Sequence, residues 1–229
     1  MSGRKDKKKK IAEIGTFSNV LQCFEFKQPI LYNAANEVVD CKGKWSKEIF
    51  GNDNEIVVEL ACGKGDYTIA LAKKYPDKNF IGVDIKGPRI HTGAKICLEE
   101  NISNVRFARF KIENIQHFFA PKELSEIWIT FPDPFPKDGH EKHRLTYKTF
   151  LEKYKPLLQE NGVVNLKTDD LDFFRYSKES IELFGASIHY YKEDIYAAAL
   201  DFDTLEIKTF YERQHLAAGR KINFLRFGY

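Results

Sequence analysis

The residues best equipped for chemistry lie in two short segments and at one strand end. Phe131-Pro132-Asp133-Pro134-Phe135-Pro136-Lys137 gathers a carboxylate, two aromatic rings and an ammonium group behind the apolar run Ile127-Trp128-Ile129. Its prolines forbid helix and ladder pairing alike, so the chain must turn sharply after a buried strand. In open α/β sheets ligands bind at that carboxyl edge, which makes Asp133 and Lys137 candidate site residues. The plainer alternative is a rigid β-to-α connection in which Asp133 only caps the next helix.

The second segment, Glu59-Leu60-Ala61-Cys62-Gly63-Lys64-Gly65-Asp66, joins a strand to a helix. Gly63 and Gly65 let the backbone turn tightly and approach a ligand without a Cβ clash. Asp84 closes the next strand and is placed to accept two hydrogen bonds from ribose hydroxyls. A glycine turn with a downstream acid serves dinucleotides and S-adenosylmethionine alike. The dinucleotide fingerprint needs glycine at its first, third and sixth positions. Counted from Ala61, only Gly63 fits, and Asp66 stands where it would repel a pyrophosphate. Glu59 sets an anion where S-adenosylmethionine carries an ammonium and a sulfonium, so the charges favour the methyl donor. Packing glycines with surface acids remain the plainer account.

These segments need a frame of alternating strands and helices, and the apolar pattern supplies one. Strands are expected at 56–60, 80–83, 105–110, 126–130 and 162–166, with helices over 67–74, 89–101, 114–119, 147–158 and 171–183. The alternation predicts a parallel sheet wrapped by helices. Two late strands, 187–191 and 222–227, have no convincing helix between them and predict an antiparallel edge. Residues 16–54 read as a partly ordered lead-in to a single domain that ends with the chain.

Composition sets the remaining bounds. A chain of 229 residues that is 43% hydrophobic can bury a full core. Cys23, Cys41, Cys62 and Cys97 lie far apart with no Cys-x-x-Cys pair, which predicts reduced thiols, no metal and a cytoplasmic setting. No apolar run approaches a membrane span and no secretory signal is evident, so a soluble protein is expected. Residues 1–15 read as a flexible basic tail: the first ten carry a net +5, and the rest holds 30 basic against 32 acidic side chains. Such a run is either a solvated end or an electrostatic arm for RNA phosphates. The stretch from Lys137 to Lys155 carries a further +3. A solvated helix face explains that charge about as well as RNA does, until its place at the candidate edge is counted.

Several motifs follow one another in a telling order: Lys42-Gly43-Lys44-Trp45, Phe50-Gly51-Asn52-Asp53-Asn54, the loop from Glu59 to Gly65, and Phe131-Pro132-Asp133-Pro134. His140-Glu141-Lys142, Arg144-Leu145-Thr146-Tyr147, Lys167-Thr168-Asp169 and Thr209-x-x-Glu212 complete the series. Together they resemble the bacterial tRNA (guanine-N7-)-methyltransferases, which modify the guanine at position 46 of the variable loop. The resemblance covers nearly everything after the tail. It implies a Rossmann-like class I methyltransferase fold, with a mostly parallel seven-stranded sheet, an antiparallel edge strand and helices on both faces. It further implies that Glu59, Gly63, Gly65, Asp84 and Asp133 hold S-adenosylmethionine, with Asp133 also catalytic. Lys137, Asp169, Thr209, Phe210, Tyr211 and Glu212 would hold the guanine nucleotide, and His140, Lys142, His143 and Arg144 would contact tRNA. The implied protein is a monomer or homodimer without metal.

Four positions depart from the family pattern. Ala61 replaces the first glycine of the loop, which is tolerable at negative φ. Phe135 stands where tryptophan is usual, and His143 replaces the first of two adjacent arginines. Lys111 falls where an acid accepts from the adenine amino group, and lysine cannot accept a hydrogen bond. Glu113 or backbone would have to read adenine instead. Two other readings stay open: a methyltransferase acting on another RNA or a small molecule, and an NAD-dependent oxidoreductase. A pure RNA-binding module would leave the glycine loop without a role.

Overall fold

The computed structural model describes residues 2–229, Met1 lying outside them. The chain divides into two compact units, the first ending at Ala120 and the second beginning at Pro121, where a single domain behind a lead-in was expected.

The first unit runs α1 (Ser2–Ile14), β1 (Val20–Cys23), β2 (Leu31–Tyr32), β3 (Val38–Val39), β4 (Ile56–Leu60), α2 (Asp66–Lys74), β5 (Asn79–Val83), α3 (Gly87–Glu99), β6 (Val105–Arg109) and α4 (Ile115–Phe118). Its strands lie in the order β3-β2-β1-β6-β5-β4. Every residue of β4 and of β5 is buried, as continuous apolar runs in parallel strands require. The register aligns Glu59 with Gly82 and Gly82 with Phe107, which sets the glycine loop above β5 and β6.

The residues read as a lead-in are built into this unit. β1 pairs parallel with β6 and antiparallel with β2. A π-helical turn, Trp45–Phe50, buries Trp45 completely; its ring stacks on Phe119 at 5.3 Å and its Nε1 donates to the Phe118 carbonyl at 2.8 Å. The basic tail expected to be flexible is helical from Ser2, and its end is anchored. Ile14 is fully buried, and Glu13 pairs with the buried His91 of α3 at 2.5 Å.

The second unit runs β7 (Leu124–Thr130), α5 (Lys148–Tyr154), β8 (Leu158–Thr168), α6 (Leu171–Leu183), β9 (Ser187–Lys192), α7 (Phe210–Ala217) and β10 (Asn223–Gly228), in the strand order β7-β8-β10-β9. β7 and β8 are parallel, whereas β10 is antiparallel to both β8 and β9. The antiparallel strand is therefore not the edge: β10 inserts beside β8 and leaves β9 outermost. Ten strands are present among the described residues rather than seven, the additional three being β1 to β3. A short helix, α7, also occupies the gap where none was read.

Candidate active site

In the first unit the glycine loop is held from below and behind. The Cys62 N–H donates to Val83 O at 2.9 Å and Gly65 N–H to Cys62 O at 2.8 Å, which closes the turn. The Phe107 ring packs under it so closely that a Cβ on Gly65 would come within 2.5 Å of that ring. Gly65 also has φ +75°, so glycine is required twice over. A Cβ on Gly63 would meet nothing within 4 Å, so there is open space beside it. Ala61 has φ +57°, contrary to the negative φ expected of a tolerated alanine. The left-handed region costs an L-residue about 1–2 kcal/mol, and the loop imposes it.

The acids of this half are buried and oriented. Asp84 accepts from Gly63 N–H through Oδ2 at 3.0 Å and from Lys86 N–H through Oδ1 at 2.7 Å. Each oxygen keeps acceptor capacity beyond that bond. Glu59, also buried, accepts through Oε2 from the Thr68 N–H at 2.9 Å and from the Thr68 hydroxyl. The two carboxylates act on Cys62 between them: burial first, then Glu59 and Asp84, push its thiol well above the ordinary value. A loop with that negative field suits a cationic ligand and opposes a pyrophosphate. Lys111 lies with its Nζ 5.0 Å from the Phe26 ring centroid, and Glu113 is exposed in the turn that follows.

In the second unit the proline turn begins at Phe131, whose N–H donates to Lys167 O at 2.8 Å. Phe131 and Phe135 have φ +49° and +45°, so two aromatic residues hold left-handed backbone on either side of Asp133. Asp133 and Lys137 are exposed. The Phe131 ring stacks on His215 at 5.6 Å; His215 Nδ1 lies 3.2 Å from Asp169 Oδ2, and Arg220 donates to that oxygen at 2.6 Å. Asp169 and the start of the proline turn are thereby joined through α7.

Thr209 and Glu212 start α7 as a cap: the Thr209 hydroxyl oxygen accepts from the Glu212 N–H at 3.1 Å. The Glu212 side chain turns inward. Fully buried, it receives Lys167 Nζ at 2.8 Å and the Tyr196 hydroxyl at 2.7 Å, both on Oε1. Its Oε2 is buried with no hydrogen-bond partner among the described residues. Burial lowers the Lys167 pKa despite the Glu212 charge, and burial with the Glu212 bond raises that of Tyr196. Phe210 and Tyr211 stay exposed, edge to face at 5.7 Å.

The chain matches a family model described as "Putative methyltransferase" over residues 53–225. A relative from Christiangramia forsetii, named tRNA (guanine-N(7)-)-methyltransferase, is 46% identical over 226 residues, covering 98% of each chain. A Bacteroides fragilis relative of the same name is also 46% identical, over 97% of this chain and 85% of its own. The chain belongs to the tRNA (guanine-N7-)-methyltransferase family. Among solved structures, "Structure of an Antibiotic Related Methyltransferase" aligns with TM-score 0.61 over 83% of this chain and 95% of that one; at 19% identity it speaks for the fold alone.

Of the four residues expected to contact tRNA, three are exposed and one is not. His140, Lys142 and His143 are exposed, with His143 beside Phe135 at 5.5 Å and beside His140 at 6.0 Å. Arg144 instead donates to the carbonyls of Pro134 and Phe135 at 3.0 and 3.1 Å. Sequence reasoning missed His215, Arg220, Tyr196 and the partner role of Lys167. Only Lys167 carried a signal, its place beside Asp169 in the Lys-Thr-Asp motif. Among the described residues no group of three or more His, Cys, Asp or Glu could hold a metal ion, and no helix is long and apolar enough to cross a membrane.

Proposed function

We propose that this protein transfers the methyl group of S-adenosylmethionine to N7 of guanine 46 in the variable loop of tRNA. The observation that carries the reading is 46% identity, over 98% of the chain, to a relative named for guanine-N7 methylation of tRNA. The donor fits the first unit's residues: open space beside Gly63, the Asp84 carboxylate for ribose hydroxyls and the negative field of Glu59 and Asp84 for a cationic amino acid end. Reduced, buried thiols accord with a cytoplasmic protein.

Guanine N7 carries a lone pair and no proton, so the reaction needs no general base. The lone pair attacks the methyl carbon in line, the carbon–sulfur bond breaks with its electrons passing to sulfur, and positive charge moves to the guanine ring. The protein's contribution is positioning and electrostatics. Asp133, exposed at the proline turn, supplies negative charge for the developing guaninium and acceptors for N1–H and the amino group. Lys137, a donor only, suits O6 or a phosphate. Asp169 and the Thr209 to Glu212 segment hold the nucleotide, with Phe210 and Tyr211 offering ring faces to a displaced base. Lys142, His140 and His143 engage tRNA phosphates.

Asp133→Asn keeps shape and an acceptor but removes the charge. Turnover on unmodified tRNA should fall about 10²-fold or more, while tRNA binding persists. Wild-type product should be 7-methylguanosine at position 46, mapped by borohydride and aniline cleavage. Near-normal turnover in Asp133→Asn, or cleavage at another nucleotide, overturns the reading.

A further inference from the structure

The proline turn cannot hold itself. Pro132, Pro134 and Pro136 have no N–H to donate, and the residues flanking Asp133 at one remove, Phe131 and Phe135, hold left-handed backbone that persists only where neighbours over-determine it. Phe131 has its own ties, the hydrogen bond to Lys167 O and the stack on His215. On the other side of Asp133 the ties come from Arg144. Its Nε donates to Pro134 O at 3.0 Å and its Nη2 to Phe135 O at 3.1 Å, so the guanidinium forks across the two carbonyls that follow Asp133. The guanidinium carbon sits 4.2 Å from the Tyr176 ring centroid on α6. The backbone that carries Arg144 is fixed to the same helix: Ser180 Oγ donates to Thr146 O at 2.7 Å, and Thr146 Oγ1 and Ser177 Oγ, both buried, lie 2.8 Å apart.

From this geometry we propose that Arg144 is a positioning residue: it clamps the Pro134 and Phe135 carbonyls and so fixes the Asp133 carboxylate for methyl transfer, instead of serving as an RNA contact. The proposal rests on the role of Asp133 given above. Lysine has one compact ammonium and cannot reproduce a fork across two carbonyls, so Arg144→Lys keeps the charge that RNA would see and loses the clamp. A phosphate contact and a clamp therefore make opposite predictions.

The experiment measures turnover at saturating tRNA, together with tRNA affinity across a salt series. It compares the wild type, Arg144→Lys, Asp133→Asn and the double variant. Arg144→Lys should lower turnover about 10–100-fold and leave the slope of log affinity against log salt unchanged. On Asp133→Asn it should add less than about threefold, because both changes act on one carboxylate. Tyr176→Leu, which removes the brace without touching the turn, should lower turnover several-fold, and Tyr176→Phe, which keeps the ring face, should restore it. Unchanged turnover in Arg144→Lys overturns the proposal. So does a slope shallower by about 0.7–0.9 in Arg144→Ala with turnover at saturation intact, the signature of one lost phosphate contact. Full multiplicative loss in the double variant also overturns the proposal, because Arg144 would then act independently of the Asp133 carboxylate. Near-normal turnover in Asp133→Asn alone overturns the catalytic reading itself and is seen separately from any Arg144 effect.

Discussion

Lys167 and Glu212 bury opposite charges completely, Nζ lying 2.8 Å from Oε1. The ammonium also donates to Leu205 O and Ile207 O at 3.4 and 3.0 Å, and Tyr196 donates to the same carboxylate oxygen at 2.7 Å. Lys167→Met removes the counter-ion and leaves the carboxylate with the Tyr196 hydroxyl. Stranding one charge of a buried pair costs about 3–5 kcal/mol. In a chain of this length each kcal/mol moves Tm by about 2–4 °C, so Lys167→Met should melt about 6–20 °C lower. Glu212→Gln strands the ammonium instead, but burial already lowers the Lys167 pKa below 10.5, and the lysine can escape by losing its proton. Its loss should fall at the lower end. The two variants then diverge with pH. In Glu212→Gln the unfolded chain binds more protons on Lys167 than the folded one does below 10.5, so stability should rise with pH. In Lys167→Met that lysine proton is gone, so its stability should lack the rise with pH. Thermal melts at acid, neutral and mildly alkaline pH read both slopes. Parallel pH profiles, or a loss under about 1 kcal/mol in Lys167→Met, would refute the reasoning.

Asp84→Ala removes a charged acceptor and the anchor of Gly63, so calorimetry should show S-adenosylmethionine binding weakened by about 1.5–3 kcal/mol; unchanged affinity removes Asp84 from the donor site. Ala61→Gly relieves about 1–2 kcal/mol of left-handed strain against about 0.4–1 kcal/mol of added unfolded-chain entropy. A Tm higher by up to about 6 °C is expected, and a lower one contradicts the φ of +57°. Deleting residues 2–10 should flatten the salt dependence of tRNA binding with donor affinity unchanged; identical slopes make the lysines a solvated face.

The strands and helices that carry apolar periodicity were legible. β4 was placed at its observed ends and α6 at both of its own, because each presents a long apolar pattern to one core. Elements without such a pattern were not. β2 and β3 have two residues each, too few to show a period, and α1 is a run of lysines in which, among the side chains described, Ile14 alone is wholly buried. α7 was announced by Thr209-x-x-Glu212, a helix-start signature taken only as a family motif. The site was legible in its types and not in its pairings. Asp84, Glu59 and Gly63 sit together as the loop predicted, but Glu212 with Lys167 and His215 with Asp169 depend on α7 returning to β8, which no local pattern encodes.

Backbone strain marks the same two segments by an independent route. Seven non-glycine residues among the described ones have positive φ. Asn36, Asn101 and Asp194 are types that tolerate it, and Lys122 begins the second unit's first turn. The remaining three, Ala61, Phe131 and Phe135, have no local reason to be left-handed, and all three lie in the glycine loop or the proline turn. Each is held by bonds from outside its own turn or directly beside it: Cys62 and Gly63 to Val83 and Asp84, Phe131 to Lys167, Phe135 to Arg144. Methyl transfer to a proton-free nitrogen offers an enzyme no acid–base step, only placement of nucleophile, methyl and counter-charge. Under the function proposed above these two segments carry the donor and the counter-charge, and strained backbone held by its neighbours is one way to fix their placement. Relaxing Ala61 with glycine should accordingly stabilise the fold while loosening the donor, so the Tm of that variant and its S-adenosylmethionine affinity should move in opposite directions.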